Sequence, residues 1–249
     1  MDSADGVRIH YVAPGEGSPL LMLHGFAGSS TDWHRFGYVD GLQSENQLIL
    51  MDERGHGRSN RPLDAKAYAI PNRISDVLHI LDHLNLDKVD ILGYSMGGEL
   101  AWGMAEQASD RVRSLIVGGM PPRLGPPEIF EELIGNLEQG LDFAAGMWGL
   151  KGSTMHRFME NSADALIASI QAIRDWQGYA GSLSALDIPC LLYTGETDLF
   201  ARQGMSDAAR TIPNCRLEIL SGLDHGQAYS RGDLVVPLIR QFLAAQNQI

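Results

Sequence analysis

Short apolar runs alternate along this chain with longer stretches in which apolar positions recur every three or four residues. That alternation predicts an α/β fold: a mostly parallel central sheet flanked by helices. Val7–Ala13 reads as a first strand, closed by the turn Pro14-Gly15-Glu16-Gly17. Further strands are expected at Leu20–Leu23, Gln47–Met51, Val89–Leu92, Leu115–Val117, Cys190–Tyr193 and Arg216–Leu220. Between them, Pro71–Leu86 sets Ile74, Val77, Leu78, Leu81 and Leu84 on one helical face. A second helix is expected over Glu99–Ala108, and an apolar-faced helix around Val235–Ala244 closes the chain.

The alternation breaks once. Pro121, Pro122, Pro126 and Pro127 mark an exit from the pattern, and Ile188-Pro189 marks the return. Only helical patterns lie between, among them Glu128–Leu137 and Ala163–Trp176. Residues 1–120 and 183–249 are therefore expected to form one core, with 121–182 inserted as a helical cap.

Composition narrows the function classes. Nineteen basic against thirty-one acidic side chains leave a formal charge of −12, which argues against nucleic acid or an anionic membrane as partner. The two cysteines, Cys190 and Cys215, sit in apolar runs that read as strands, and no Cys/His spacing suggests a metal site. The amino terminus lacks the basic and apolar regions of a signal peptide, and the longest apolar stretch, Phe143 to Leu150, is far short of a membrane span. A cytoplasmic protein, monomer or homodimer, is the expectation. The 28 glycines amount to about 11% of the chain against a usual ~7%, and many of them follow strands.

One of these strand ends carries chemistry. Gly93-Tyr94-Ser95-Met96-Gly97 matches G-x-S-x-G and lies after a strand and before a helix, where a nucleophile turn requires it. The turn is tight enough to strain Ser95, and side chains at 93 and 97 would collide with neighbouring elements. A dinucleotide loop is excluded because position 95 is not glycine, and no G-K-[ST] follows for a phosphate loop.

A serine hydroxyl needs a base held in one tautomer. Of eight histidines, His79 and His83 fall on the polar face of their helix. His225 lies in a loop after the final strand, from which it can reach back over the sheet's carboxyl edge to Ser95. Asp198, in Gly195-Glu196-Thr197-Asp198, follows another strand on the same edge and is the expected orienting acid. Glu196 is its nearest competitor; Asp224 adjoins His225 too closely to face it, and the strand at Leu115–Val117 ends in Gly118-Gly119-Met120 with no carboxylate. Ser95, Asp198 and His225 thus stand in the chain order nucleophile, acid, base. The backbone N–H groups of Phe26, in His24-Gly25-Phe26, and of Met96 are the expected oxyanion hole. His24 is expected to brace its loop, as are Arg54, His56 and Ser59 in theirs.

Together these residues, with Asp52-Glu53-Arg54-Gly55-His56-Gly57-Arg58-Ser59 and Gly98, resemble the α/β-hydrolase superfamily over nearly the whole chain. The resemblance implies an eight-stranded, mostly parallel sheet with the cap after the sixth strand, and catalysis without metal or cofactor. It also implies Ser95 as nucleophile, His225 as base and Asp198 as acid. Only six residues precede Val7, which leaves the family's first strand absent or very short.

The chemistry expected is two-step acyl transfer onto water, with a small or medium apolar ester or lactone as substrate. Trp148, Met147, Phe143 and Tyr94 are the expected pocket residues, drawn largely from an apolar cap that carries few basic side chains. Similar capped relatives imply an alternative, hydrolysis of a carbon–carbon bond in a vinylogous diketone; others act as perhydrolases or haloperoxidases with the same triad. A receptor with a vestigial triad is the reading from another class, disfavoured because every catalytic position is filled.

Overall fold

The computed structural model describes residues 1–123 and 128–246; Pro126 and Pro127, expected to mark the exit toward the inserted helices, lie outside the described residues. Seven strands form one sheet: β1 (His10–Val12), β2 (Ser18–Leu23), β3 (Asn46–Asp52), β4 (Val89–Tyr94), β5 (Val112–Gly118), β6 (Cys190–Gly195) and β7 (Cys215–Leu220). Their order is β1-β3-β2-β4-β5-β6-β7, parallel throughout except for β1 against β3.

Eleven helices complete the described chain: α1 (Thr31–Arg35), α2 (Tyr38–Leu42), α3 (Ile70–His83), α4 (Met96–Gln107), α5 (Glu128–Glu138), α6 (Leu141–Met147), α7 (Gly152–Phe158), α8 (Ala163–Arg174), α9 (Arg202–Thr211), α10 (His225–Ser230) and α11 (Gly232–Gln246).

The central strands are buried on both faces, which is why they read as unbroken apolar runs. Alternation still divides them. Leu21, Leu23, Ile49 and Met51 face one core with Ile74, Val77 and Ile80 of α3, Leu100 and Trp102 of α4 and Met205 of α9. Leu20, Met22, Leu48 and Leu50 face the other with Trp33, Tyr38, Val39, Val235, Ile239 and Phe242. The chain runs from β2 outward to β3 and then returns to β4 on the far side of β2. In open α/β sheets a crevice forms at such a reversal, outside the carboxyl ends of the strands. The loops after β2 and β4 meet there.

The sheet falls one strand short of the eight that the resemblance implied, so α5–α8 follow the fifth observed strand rather than the sixth. Among the described residues no strand precedes β1 at the amino terminus. There the chain folds back on itself, with Ser3 N–H donating to Val7 O, Ile9 N–H to Met1 O and a single bridge between Asp2 and Arg8. Those bonds also shorten the expected first strand, Val7–Ala13, to His10–Val12. No described helix is long and apolar enough to cross a membrane.

Candidate active site

The turn after β4 is built by its neighbours' lack of side chains. A Cβ at Gly97 would collide with the Leu23 carbonyl, and one at Gly93 with the Gly97 carbonyl. With both positions glycine, α4 can start directly behind Ser95, whose φ of 51° lies in the left-handed region that serine rarely adopts. Ser95 N–H donates to Gly118 O at 2.8 Å, and Glu99 N–H to Ser95 O at 3.0 Å. The strained residue is thus held on both sides.

Ser95 and His225 are 130 positions apart in sequence and meet with Oγ 3.0 Å from Nε2. His225 Nδ1 lies 2.8 Å from Asp198 Oδ2. A carboxylate only accepts, so Nδ1 carries the proton and Nε2 is left to accept from the serine hydroxyl. His225 is the first residue of α10, whose N-cap Asp224 accepts from Gln227 N–H while Gln227 bonds back to Asp224 N–H. Tyr94 O–H donates to the His225 carbonyl at 2.5 Å. A side chain at Gly119 would intrude on the imidazole.

Asp198 is buried, and burial alone would raise its pKa. The hydrogen bond and charge of His225, with Ala201 N–H and Thr194 O–H, hold it below the usual value of 3.8 instead. Its Oδ1 accepts from Phe200 and Ala201 N–H, both at 3.1 Å. The competing carboxylates are engaged elsewhere: Glu196 accepts from Ser221 O–H and Gly222 N–H, and Asp224 is spent on its cap.

The loop after β2 is stapled to the start of α4 by Gly97 N–H donating to His24 O at 3.1 Å. This brings Phe26 beside Met96, which packs with it in one apolar cluster. As the first residue of α4, Met96 has no carbonyl one turn earlier to accept its N–H. His24 uses both ring nitrogens structurally, Nδ1 with Gly25 O at 2.8 Å and Nε2 accepting from Glu53 N–H at 3.1 Å. His56 is fully buried, donates from Nδ1 to Arg54 O, and is kept neutral by burial, which with nearby His24 lowers its pKa to about 3. Arg54 is bidentate on Asp76 at 2.7 Å, and Ser59 O–H bonds to Asp52 O.

A charged group that the sequence pattern does not single out lies under this turn. Arg73 of α3 is buried between Glu53 and Glu99 and donates to Met96 O at 3.0 Å. Its only signal is an arginine four residues before Val77, on the buried face of α3, where Asp76 is the other charged residue. Burial raises the pKa of Glu99, and Arg73 opposes that shift.

The expected pocket residues divide. Trp148 lines a cleft of about 710 Å³ beside Phe26. Phe143 and Met147 do not line it: on the short helix α6 their side chains turn outward and are 47% and 59% exposed. Tyr94 is buried on the other side of the turn, stacked on Tyr229 with ring centroids 4.4 Å apart. Strand alternation explains this, because Tyr94 directly precedes Ser95 and so points away from it. The apolar cluster around Met96, the residue after Ser95, is instead made by Phe130, Ile134, Ile170 and Ile173 from α5 and α8, with Phe26 and Phe200. Among the described residues no group of three or more His, Cys, Asp or Glu is placed to hold a metal ion.

The family model for the alpha/beta hydrolase fold matches residues 18–144. The chain belongs to the α/β-hydrolase family. Among relatives of this α/β-hydrolase is a putative 2-succinyl-6-hydroxy-2,4-cyclohexadiene-1-carboxylate synthase of Bacillus subtilis (strain 168), 27% identical, with 97% of each chain covered. A non-heme haloperoxidase of Rhodococcus erythropolis is 28% identical over 94% of each chain. Among solved structures, an esterase from Exiguobacterium antarcticum superposes with a TM-score of 0.86 at 22% identity, covering 98% of both chains. At that identity the likeness speaks for the fold alone.

Proposed function

We propose that this α/β-hydrolase is a serine hydrolase acting on a small or medium carboxylic ester or lactone. The observation that carries the reading is the chain of contacts from Ser95 Oγ through the His225 ring to Asp198 Oδ2, at 3.0 and 2.8 Å. Ser95 Oγ attacks the carbonyl carbon while His225 Nε2 takes its proton, and the oxyanion is held by the N–H groups of Phe26 and Met96. The bond to the leaving alcohol then breaks, and the alcohol departs with the proton from His225. Water, deprotonated by the same nitrogen, attacks the acyl-enzyme; the acid leaves and Ser95 is restored. Asp198 keeps the imidazole in the Nδ1–H tautomer and stabilises the imidazolium that forms. No cofactor or metal enters these steps.

Residues 121–182 act as the cap in this reading, over a core of 1–120 and 183–249. The cluster around Phe130, Ile134, Ile170 and Ile173 supports an apolar acyl group next to Ser95. The charge of −12 supports a small molecule and water as partners, rather than a polyanion or an anionic membrane. A cytoplasmic monomer or homodimer belongs to the same reading.

Turnover of p-nitrophenyl esters of graded acyl length tests the proposal. Ser95→Ala is expected to lower kcat by about 10⁴–10⁶ with the thermal unfolding transition retained. Near-normal turnover by that variant overturns the assignment. A carbon–carbon hydrolase with the same triad would instead favour a vinylogous diketone over every ester in the panel.

A further inference from the structure

Arginines in this acidic protein are distributed unevenly between two kinds of place. The chain has 16 of them, and four (Arg35, Arg58, Arg61 and Arg157) line the 710 Å³ cleft beside Phe26. Of the other 16 − 4 = 12, nine pair with a carboxylate within 4.0 Å among the described residues. In the cleft the pattern inverts. Arg58's guanidinium has no partner among the described residues, and Arg61 donates only to the Gly57 carbonyl. Arg35 bonds the hydroxyls of Ser153 and Thr154 and lies over the Phe36 ring. Of the four, only Arg157 approaches a carboxylate among the described residues, that of Asp32, at 3.9 Å.

Three carboxylates, Asp32, Asp52 and Glu160, line the same cleft against its four arginines, and none of them pairs with the guanidinium of Arg35, Arg58 or Arg61 among the described residues. Asp52 already accepts from Ser30 N–H, Arg58 N–H and His10. Burial raises the pKa of Asp32 and so disfavours its charge. Glu160 lies 3.7 Å from His156. The remaining field is positive and modest, which suits a single carboxylate better than a doubly charged phosphate. Arginine's planar fork matches that group.

The cleft also borders the candidate active site. Its wall includes Phe26, whose N–H is assigned to the oxyanion hole, and Gly226, the neighbour of His225; Leu133 and Trp148 give it an apolar lining. We propose that this cleft binds a carboxylate of the substrate, so that the ester or lactone attacked by Ser95 is the neutral end of an acid-bearing molecule. The inference rests on the serine-hydrolase reading and replaces a wholly apolar substrate with one that carries charge at its far end.

Two matched pairs of esters test it, each exchanging one methyl for a carboxylate. Monomethyl adipate against methyl hexanoate places the charge on the acyl side. 4-(Butanoyloxy)benzoate against 4-methylphenyl butanoate places it on the leaving group. In at least one pair the charged ester is expected to have about tenfold higher kcat/KM, chiefly through KM. The double variant Arg58→Gln/Arg61→Gln should erase that preference, as should raising the salt concentration. Equal or poorer use of the charged ester in both pairs overturns the proposal, and so does an equal loss on both members of a pair in the double variant. If none of the four esters turns over, the serine-hydrolase reading is what fails. Calorimetric titration of wild type and the double variant with adipate and with 4-hydroxybenzoate then decides the cleft: binding lost in the variant supports it, and no binding to wild type removes it.

Discussion

Behind the nucleophile turn, charged side chains are buried and paired, whereas helices α5–α8 bury none among the described residues. Arg54, Arg73, Asp76, Glu53 and Glu99 all lie beneath the sheet's carboxyl edge at 1–3% or less exposure. In α5–α8 the buried polar residues are Asn136 and Ser169, both neutral, among the described residues. Those helices meet the core through apolar contacts, such as Phe130 with Phe200 and the cluster around Met96, and through polar ones such as Arg35 with Ser153 and Thr154. They also leave Ile129, Phe143, Met147, Met155 and Met159 well exposed. The two regions are built for different tasks. A buried ion pair has one satisfactory geometry, so it fixes register at the cost of desolvation. An apolar contact is non-directional and tolerates repacking. Positions around Ser95 are held by the first kind, and α5 and α8 meet the core largely by the second.

The sharpest way to break that contrast is to alter one polar group at the edge without changing its shape. Asp198→Asn can keep the two N–H bonds at Oδ1 while presenting an amide N–H to His225 Nδ1. It is expected to lower kcat on p-nitrophenyl esters by about 10⁴ through the wrong tautomer, with the melting temperature nearly unchanged. Loss of the fold instead would make Asp198 a structural residue first.

Next in size is the pair network below. Arg73→Met leaves Glu53 and Glu99 buried together without a cation, and should cost about 3–5 kcal/mol in denaturant unfolding. A cost under ~1 kcal/mol, as at an ordinary surface pair, would show that the network does not fix the turn.

His56 supplies a pH test. Its folded pKa, about 3, lies below the ordinary imidazole value of 6.5, so the unfolded chain binds more protons between those values. Its contribution is therefore unchanged above pH 6.5 and falls with pH below it, by about 2 kcal/mol at pH 5. Equilibrium unfolding of wild type and His56→Gln at pH 7 and pH 5 should show the extra loss in wild type alone. Equal losses would refute the neutral buried imidazole.

The smallest effect is expected in the other region. Met147→Ser removes an exposed apolar side chain and should move stability by less than ~0.5 kcal/mol. A larger drop would mean that Met147 is packed within the chain rather than exposed.

Much of the architecture is legible in the chain because parallel strands and amphipathic helices impose periods on apolar residues. The expected strands from Leu20 onward all correspond to observed ones, each extended by one or more residues, and the helix expected over Pro71–Leu86 is observed at Ile70–His83. Short helices were not legible. α1, α2 and α10, of five, five and six residues, are too brief to show a period. The amino-terminal strand was over-read because Val7 and Ile9 carry strand-like side chains, while their backbone bonds go to Val7–Ser3 and Ile9–Met1 pairs instead. Pocket positions failed for a related reason: Phe143 and Met147 are apolar, but apolarity does not say whether a short helix turns a side chain inward.

By itself the sequence determined the residue types that could react and the loops that carry them. A serine between glycines after a strand, a late aspartate and a later histidine were identifiable because tight turns and proton transfer accept few alternatives. Only the tertiary structure decided which carboxylate faces His225, which arginines lack a counter-ion among the described residues and which apolar side chains gather around Met96. Those are relations between positions as far as 130 residues apart, such as Ser95 and His225. Local periodicity carries no information about them, because they are set by how the strands order themselves and how the loops at one edge pack together.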